Sequence, residues 1–105
     1  MFLAAPLILM LAAAPATDVG SARKAYSKCL SDLSQPALEK KMSLADFQAE
    51  TKAKCATQEA TFRAAIIADD KASSMKDAEA QADADDQVSE YRDKIVSEYE
   101  DYSKS

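Results

Sequence analysis

The residues with the greatest capacity for chemistry in this chain of 105 residues are two cysteines, Cys29 and Cys55. A thiolate becomes a strong nucleophile where a base or a positive charge lowers its pKa, and the sequence contains no histidine to act as that base. Two cysteines in an exported chain most simply form one disulfide, and two free buried thiols are the alternative. We therefore predict that Cys29 and Cys55 form a structural disulfide and not a reactive pair.

Other combinations of side chains give no convincing active site. Ser21 with Lys24, and Ser73 with Lys76, have a Ser-x-x-Lys spacing that puts a hydroxyl and an amine one helical turn apart. Enzymes that use this spacing carry further motifs that this chain lacks, so coincidence explains both pairs. The acidic run at residues 83–86 lacks the glycine and the distal glutamate of a calcium loop. We expect no catalytic residues, no metal site and no cofactor, and hence no enzyme.

The candidate binding face lies in the acidic C-terminal part of the chain. Its acidic side chains and tyrosines follow helical spacing and comprise Glu79, Asp83, Asp86, Glu90, Tyr91, Tyr99 and Tyr102. Tyrosine is enriched in binding hot spots and carboxylates attract basic surfaces, so the predicted partner is another protein. The alternatives are a solvated acidic face and tyrosines at the rim of the core. A net charge of −5 disfavours nucleic acid and membrane surfaces as partners, and a homodimer is a further option.

Residues 1–16 have the pattern of a secretory signal peptide. An apolar run ends in Ala14, Pro15 and Ala16, and small residues at this point suit cleavage after Ala16. The alternative is a retained membrane anchor, but a span needs about 20 apolar residues and Pro6 interrupts this shorter run. We therefore predict a periplasmic or secreted protein with a single all-helical domain at residues 17–105.

Helical signals recur along that domain, and no segment alternates with period two. A first helix is expected from near Ser21 to just before Pro36, and Ser43 has the features of the N-cap of a long middle helix. Cys55 lies on the main apolar face of this middle helix, which also carries Leu44, Phe47, Thr51, Gln58, Phe62 and Ile66. The predicted fold is all-α, a small antiparallel bundle of about three helices, with the disulfide joining helix 1 to the middle helix.

The end of the middle helix is open to two interpretations. It either ends at residues 70–74, where Ser74 starts a second Ser-x-x-Asp signal, or continues unbroken over residues 44–102. We favour the break, because the apolar stripe does not keep its phase across this segment. The unbroken helix would have to dimerise to cover its apolar stripes, and a structural coiled-coil protein is therefore the alternative function.

A row of alanines on the middle helix also has two interpretations. The row comprises Ala49, Ala53, Ala56 and Ala60. Either it packs against the last helix, with Val88, Tyr91 and Ile95 lying near Ala56, Ala53 and Ala49, or alanine is present only as the best helix former.

Overall fold

A computed structural model describes residues 18–104, which form helices and contain no strand. The helices are α1 (Val19–Asp32), α2 (Ser34–Glu39), α3 (Leu44–Lys54), α4 (Ala56–Ala72) and α5 (Asp77–Ser103). The all-α prediction is confirmed for this part of the chain. The estimate of about three helices was too low, because five helical segments lie within the described residues. The predicted signal peptide at residues 1–16 lies outside them and stays a prediction.

α1 begins earlier than the sequence suggested. Asp18 is its N-cap, and the Asp18 Oδ2 atom accepts from the backbone N–H of Ser21 at 2.9 Å. The chain bends at Leu33, the one residue between α1 and α2. Pro36 does not end the helical structure, because it lies in the first turn of α2, where an N–H has no partner within the helix.

α2 ends in a Schellman motif that a glycine would usually mark. The N–H of Met42 bonds the carbonyl of Ala37 at 2.9 Å, and the N–H of Lys41 bonds that of Leu38 at 3.1 Å. Lys41 takes the left-handed conformation this motif requires, with φ 54°. A non-glycine residue therefore occupies a position that favours glycine.

The start of the middle helix is as predicted. The Ser43 Oγ atom accepts from the N–H of Asp46 at 3.1 Å and caps α3. The helix is nevertheless split at Cys55, which has φ −108° and ψ 20° and separates α3 from α4. No glycine or proline lies near this break. It coincides with the residue that is covalently joined to α1.

The predicted break before the last helix is confirmed, and the unbroken helix over residues 44–102 is not formed. α4 ends in a second Schellman motif, in which Met75 bonds the carbonyl of Asp70 at 3.0 Å and Ser74 has φ 72°. Lys76, and not Ser74, is the N-cap of α5. Since the coiled-coil alternative was built on a continuous helix, it loses its structural premise.

The core lies around α4, which packs between α1 and α5. Phe62 of α4 contacts Tyr26 of α1 with ring centroids 5.8 Å apart and Tyr91 of α5 with centroids 5.6 Å apart. At the other end of the bundle, Phe47 of α3 stacks on Tyr99 of α5 with centroids 4.0 Å apart. α5 therefore runs antiparallel to α3 and α4, and it packs against their large residues.

The row of alanines lies on the solvent side. Ala49, Ala53, Ala56 and Ala60 are all exposed, so their pairing with Val88, Tyr91 and Ile95 was wrong. The opposite face of α3 and α4, which carries Phe47 and Phe62, is buried instead. Burying these larger side chains removes more apolar area from water than burying alanine. Helix propensity is the remaining explanation for the alanines.

The disulfide between Cys29 and Cys55 is confirmed, and it joins Cα atoms 5.8 Å apart. It ties the last part of α1 to the joint between α3 and α4. Cys55 is fully buried and Cys29 is partly buried. Neither cysteine is a free thiol, which agrees with a structural role.

Candidate functional site

The acidic residues of the candidate face do not all point the same way. Glu79, Asp86 and Glu90 are exposed on the outer side of α5. Asp83 is half-buried and turned towards α4, and its Oδ2 atom accepts from Gln87 Nε2 at 3.1 Å. The predicted face therefore has three exposed carboxylates, Glu79, Asp86 and Glu90, and Asp83 lies to one side of them.

The three tyrosines of the candidate face are dispersed. Tyr99 is 1% exposed, and its hydroxyl donates to the carbonyl oxygens of Met42 at 2.7 Å and Ala37 at 3.2 Å. Tyr91 is half-buried against Phe62, while Tyr102 is 61% exposed at the end of the helix. The common stripe predicted for these rings is the buried side of α5, so Tyr99 belongs to the core and cannot meet a partner.

Charge pairing separates the two sides of α5. Towards α4, Asp85 pairs with Arg63, and Asp77 pairs with Lys71 at 3.3 Å. On the outer side, Asp86, Glu90 and Asp93 are exposed and form no ion pair with any described residue. We call these three residues the acidic row. Their spacing of four and three residues keeps them on one helical face.

A partly buried polar cluster joins the three main helices, and it was not among the predicted site residues. Arg92 of α5 donates from Nη2 to Glu59 Oε1 of α4 at 2.6 Å, and Arg63 Nη2 lies 3.6 Å from Glu59 Oε2. Tyr26 of α1 packs against this pair with 0% exposure, and burial raises the pKa of its phenol. The sequence feature that could have indicated this cluster is Arg92, because this charged residue lies one helical turn after Val88 on the apolar stripe of α5.

The polar cluster has the chemistry of a structural contact between helices. Its charges compensate one another, which offsets the cost of removing Glu59 and Arg92 from water.

Within residues 18–104, no three His, Cys, Asp or Glu side chains lie close enough to hold a metal ion. In the same part of the chain, no helix is both long and apolar enough to cross a membrane.

A second pair of acidic groups lies where α4 meets α5. The side chain of Asp70 faces Asp83, and the Asp70 Oδ2 atom is buried without a hydrogen-bond partner. The Asp83 carboxyl raises the pKa of Asp70, because the two groups share a hydrogen bond only when one is protonated, and desolvation and the charges of Asp83 and Asp69 add to the increase. The interaction between these two carboxyl groups therefore affects the stability of the junction between α4 and α5.

The surface also carries an apolar groove at the end of the bundle, which we call the end groove. It has a volume of about 710 Å³, and its larger lining side chains are Leu38, Lys41, Met42, Leu44, Tyr99 and Tyr102. The groove lies between the α2–α3 connection and the last turn of α5. The acidic row begins earlier on the same helix and shares no residue with the lining of the end groove.

Comparison with known proteins identifies no relative: no protein-family model, no curated protein and no solved structure matches this chain.

Proposed function

We propose that this protein is an exported, non-enzymatic helical module that binds another protein through the outer face of α5. The observation that carries this proposal is the acidic row of Asp86, Glu90 and Asp93, which is exposed and has no ion pair with a described residue. Like charges three or four residues apart weaken an isolated helix by a few tenths of a kcal/mol per pair. A basic partner would offset that cost and gain speed of association from the long-range field.

The charges on the inner side of α5 support this assignment by contrast. Asp85 and Asp77 are neutralised by Arg63 and Lys71, and Arg92 is neutralised by Glu59. The charges of α5 that face α4 are therefore paired within the fold, while the acidic row is exposed to solvent. Glu79 extends the row towards the start of α5, and the exposed edge of Tyr91 borders it.

Export is a further part of the proposal. The disulfide is compatible with an oxidising compartment, since such bonds persist in the periplasm and outside the cell. The predicted signal peptide with cleavage after Ala16 agrees with the same destination. The partner is accordingly expected in the periplasm or on the outside of the cell.

The proposal can be tested by affinity capture from an envelope extract of the source cells. The doubly reversed variant Asp86→Lys with Glu90→Lys should lose the captured partner, because it replaces attraction by repulsion. The matched control reverses Glu39 and Asp69, two exposed carboxylates elsewhere that also form no ion pair with a described residue, and changes the net charge equally. The control should keep the partner. Raising the salt concentration should release the partner from the unchanged protein.

Two results would remove the acidic row from consideration. The first is capture of the same proteins by the unchanged chain and the doubly reversed variant. The second is equal loss in the Glu39 and Asp69 control, which would show a dependence on total charge and not on this surface.

A further inference from the structure

The two ends of the disulfide differ in their access to solvent. Cys55 is 0% exposed, whereas Cys29 is only partly buried against the core. The difference follows from where each cysteine lies on its helix. Cys29 flanks the buried stripe of α1, which carries Ala22, Tyr26 and Leu30, while Cys55 lies within the buried face of α3 and α4. One end of the bond is therefore open to a reagent in solution, and the other is enclosed by protein.

Fully buried side chains lie on both sides of Cys55 along its helical face. Thr51 lies about one turn before it and Phe62 two turns after it, and each is 0% exposed. α1 packs across this face, since the ring of Tyr26 lies 5.8 Å from that of Phe62 between centroids. A reagent reaches Cys55 only when α1 separates from α4 or when this region unfolds locally.

The chemistry of a disulfide depends on which of its sulfurs is attacked and on access to that sulfur. When a thiolate attacks Cys29, its sulfur bonds to Cys29 Sγ and the bond between the two cysteines breaks. The electron pair of that bond passes to Cys55 Sγ, which takes up a proton. A second thiolate then attacks the sulfur of the first reagent and releases Cys29 as a thiol. The two thiols supply two electrons and become one disulfide, and the disulfide of the protein forms by the reverse steps.

The fold keeps the two cysteines close during these steps. Their Cα atoms lie 5.8 Å apart, and the packing of Tyr26 on Phe62 holds α1 against α4 without the covalent bond. Cys29 Sγ also lies 3.7 Å from the carbonyl oxygen of Lys54. A disulfide sulfur carries no proton, but a Cys29 thiol is a weak donor to this oxygen. A reagent bound to Cys29 is therefore displaced readily by the neighbouring Cys55 thiolate, which closes the bond again.

We propose that Cys29 is the sulfur at which this disulfide is made and broken in the folded protein, through a mixed disulfide with a small thiol of the glutathione class. Attack at Cys29 requires no opening of the core, whereas attack at Cys55 requires α1 to leave α4. The bond keeps its structural role, because the buried Cys55 favours closure over reduction. This reactivity goes beyond the proposed protein-binding function and does not depend on it.

The local sequence does not account for such a preference. A lysine precedes each cysteine, Lys28 before Cys29 and Lys54 before Cys55. In the unfolded chain the two thiols therefore have the same positive charge beside them and should react alike. A preference for Cys29 that exists only in the folded protein is due to burial.

Mapping of the mixed disulfide by mass spectrometry tests this proposal. The purified, oxidised protein is incubated with excess reduced glutathione, quenched with acid, unfolded and alkylated with N-ethylmaleimide. Trypsin cleaves after Lys28 and Lys54 and so places the two cysteines in different peptides. Glutathione should be at least about tenfold more abundant on the Cys29 peptide than on the Cys55 peptide, because labelling of Cys55 requires local opening.

The same reaction in denaturant is the matched control, and it should distribute glutathione about equally between the two cysteines. Single variants give a second measurement. Cys55→Ala leaves Cys29 as a thiol, and Cys29→Ala leaves Cys55. Oxidised glutathione should react at least about tenfold faster with the first variant than with the second, provided that circular dichroism shows both to be folded.

Equal labelling of the two cysteines in the folded protein would overturn this proposal. A preference for Cys29 that persists in denaturant would also overturn it, because burial is then not the cause. Neither result bears on the acidic row. The variant with Asp86→Lys and Glu90→Lys should show the same preference for Cys29 even when it has lost its partner protein, so the two proposals fail separately.

Discussion

The carboxyl group of Asp70 faces that of Asp83 across the junction of α4 and α5, and this contact raises the pKa of Asp70. The charge of Asp69 adds to this increase in the pKa of Asp70. Gln87 Nε2 donates to Asp83 Oδ2. The two helices thus meet through a pair of acids that share a hydrogen bond when one is protonated.

The pH dependence of stability follows from this pair. Because the pKa of Asp70 is raised above its unfolded value, its stabilising contribution is complete below the unfolded pKa and is lost as pH rises through the folded pKa. Asp70→Asn supplies a donor to Asp83 at every pH. We expect this variant to melt at a higher temperature than the unchanged protein at neutral pH, and the difference to shrink towards pH ~4.

Thermal melts from acid to neutral pH check this prediction, with Asp86→Asn as the control. Asp86 lies on the same helix, is exposed and has no ion pair with a described residue. Its replacement should shift the melting temperature by a similar small amount at all pH values. A difference between Asp70→Asn and the unchanged protein that does not vary with pH would contradict the prediction.

The left-handed conformation of Ser74 predicts a stabilising substitution. Ser74 has φ 72°, a region that glycine enters without steric cost. Ser74→Gly should raise the free energy of unfolding by about 0.5–1 kcal/mol, after allowance for the greater entropy of glycine in the unfolded chain. Denaturant titration measures this quantity. Ser73→Gly is the control and should destabilise, because Ser73 has φ −93° and gains nothing from glycine; a gain at Ser73 equal to that at Ser74 would refute the reason given.

Removal of the disulfide should destabilise the fold substantially. The bond closes a chain separation of 26 residues, for which the chain-entropy relation gives about 3 kcal/mol. The double variant Cys29→Ala with Cys55→Ala should therefore melt more than about 10 °C below the oxidised protein. Mass spectrometry after treatment with iodoacetamide without reductant should show no alkylation of the unchanged chain. An equal melting temperature for the two proteins would show that the core needs no covalent link.

The hydroxyl of Tyr99 should contribute more to stability than any exposed tyrosine. Tyr99→Phe leaves the carbonyl of Met42 without its donor and removes the second of two donors to the carbonyl of Ala37, which should cost about 1–3 kcal/mol in the free energy of unfolding. Tyr102→Phe, three residues later on the exposed side, should change that energy by less than about 0.5 kcal/mol. Urea titration of both variants gives the comparison. Similar losses at the two positions would mean that the Tyr99 hydrogen bonds add nothing to the fold.

Local sequence features predicted much of this fold. The apolar stripe through Phe47, Phe62 and Ile66 is buried, the Ser43 cap is formed, and the paired cysteines are bonded. The stripe and the cap depend on local spacing, which a sequence carries directly, and the disulfide was expected from the two cysteines and the predicted export. The break after Ala72 was also predicted, from the lost phase of the apolar stripe and from a cap signal at Ser74 that proved to be a left-handed turn.

The features that were missed depend on tertiary contacts. Nothing local breaks the helix at Cys55, where good helix formers lie on both sides. The Ala49 and Ala53 side of the middle helix was as plausible a contact for α5 as the Phe47 side, because periodicity gives the faces and not their partners. The spacing of Tyr99 likewise fits a residue at the rim of a core. Its burial depends on contacts with a distant segment of the chain, where the carbonyl of Met42 accepts from its hydroxyl.

The hydrogen bonds of Tyr99 also bear on the order in which the chain can fold. Met42 lies between the two bonded cysteines, but the hydroxyl that donates to its carbonyl comes from the last turns of α5. A chain is synthesised from its N-terminus, so the covalent loop can close before its donor exists. In a chain that has formed the disulfide but has not yet packed the last turns of α5, the carbonyl of Met42 depends on water. Completion of the fold therefore requires the packing of α5 as well as formation of the disulfide.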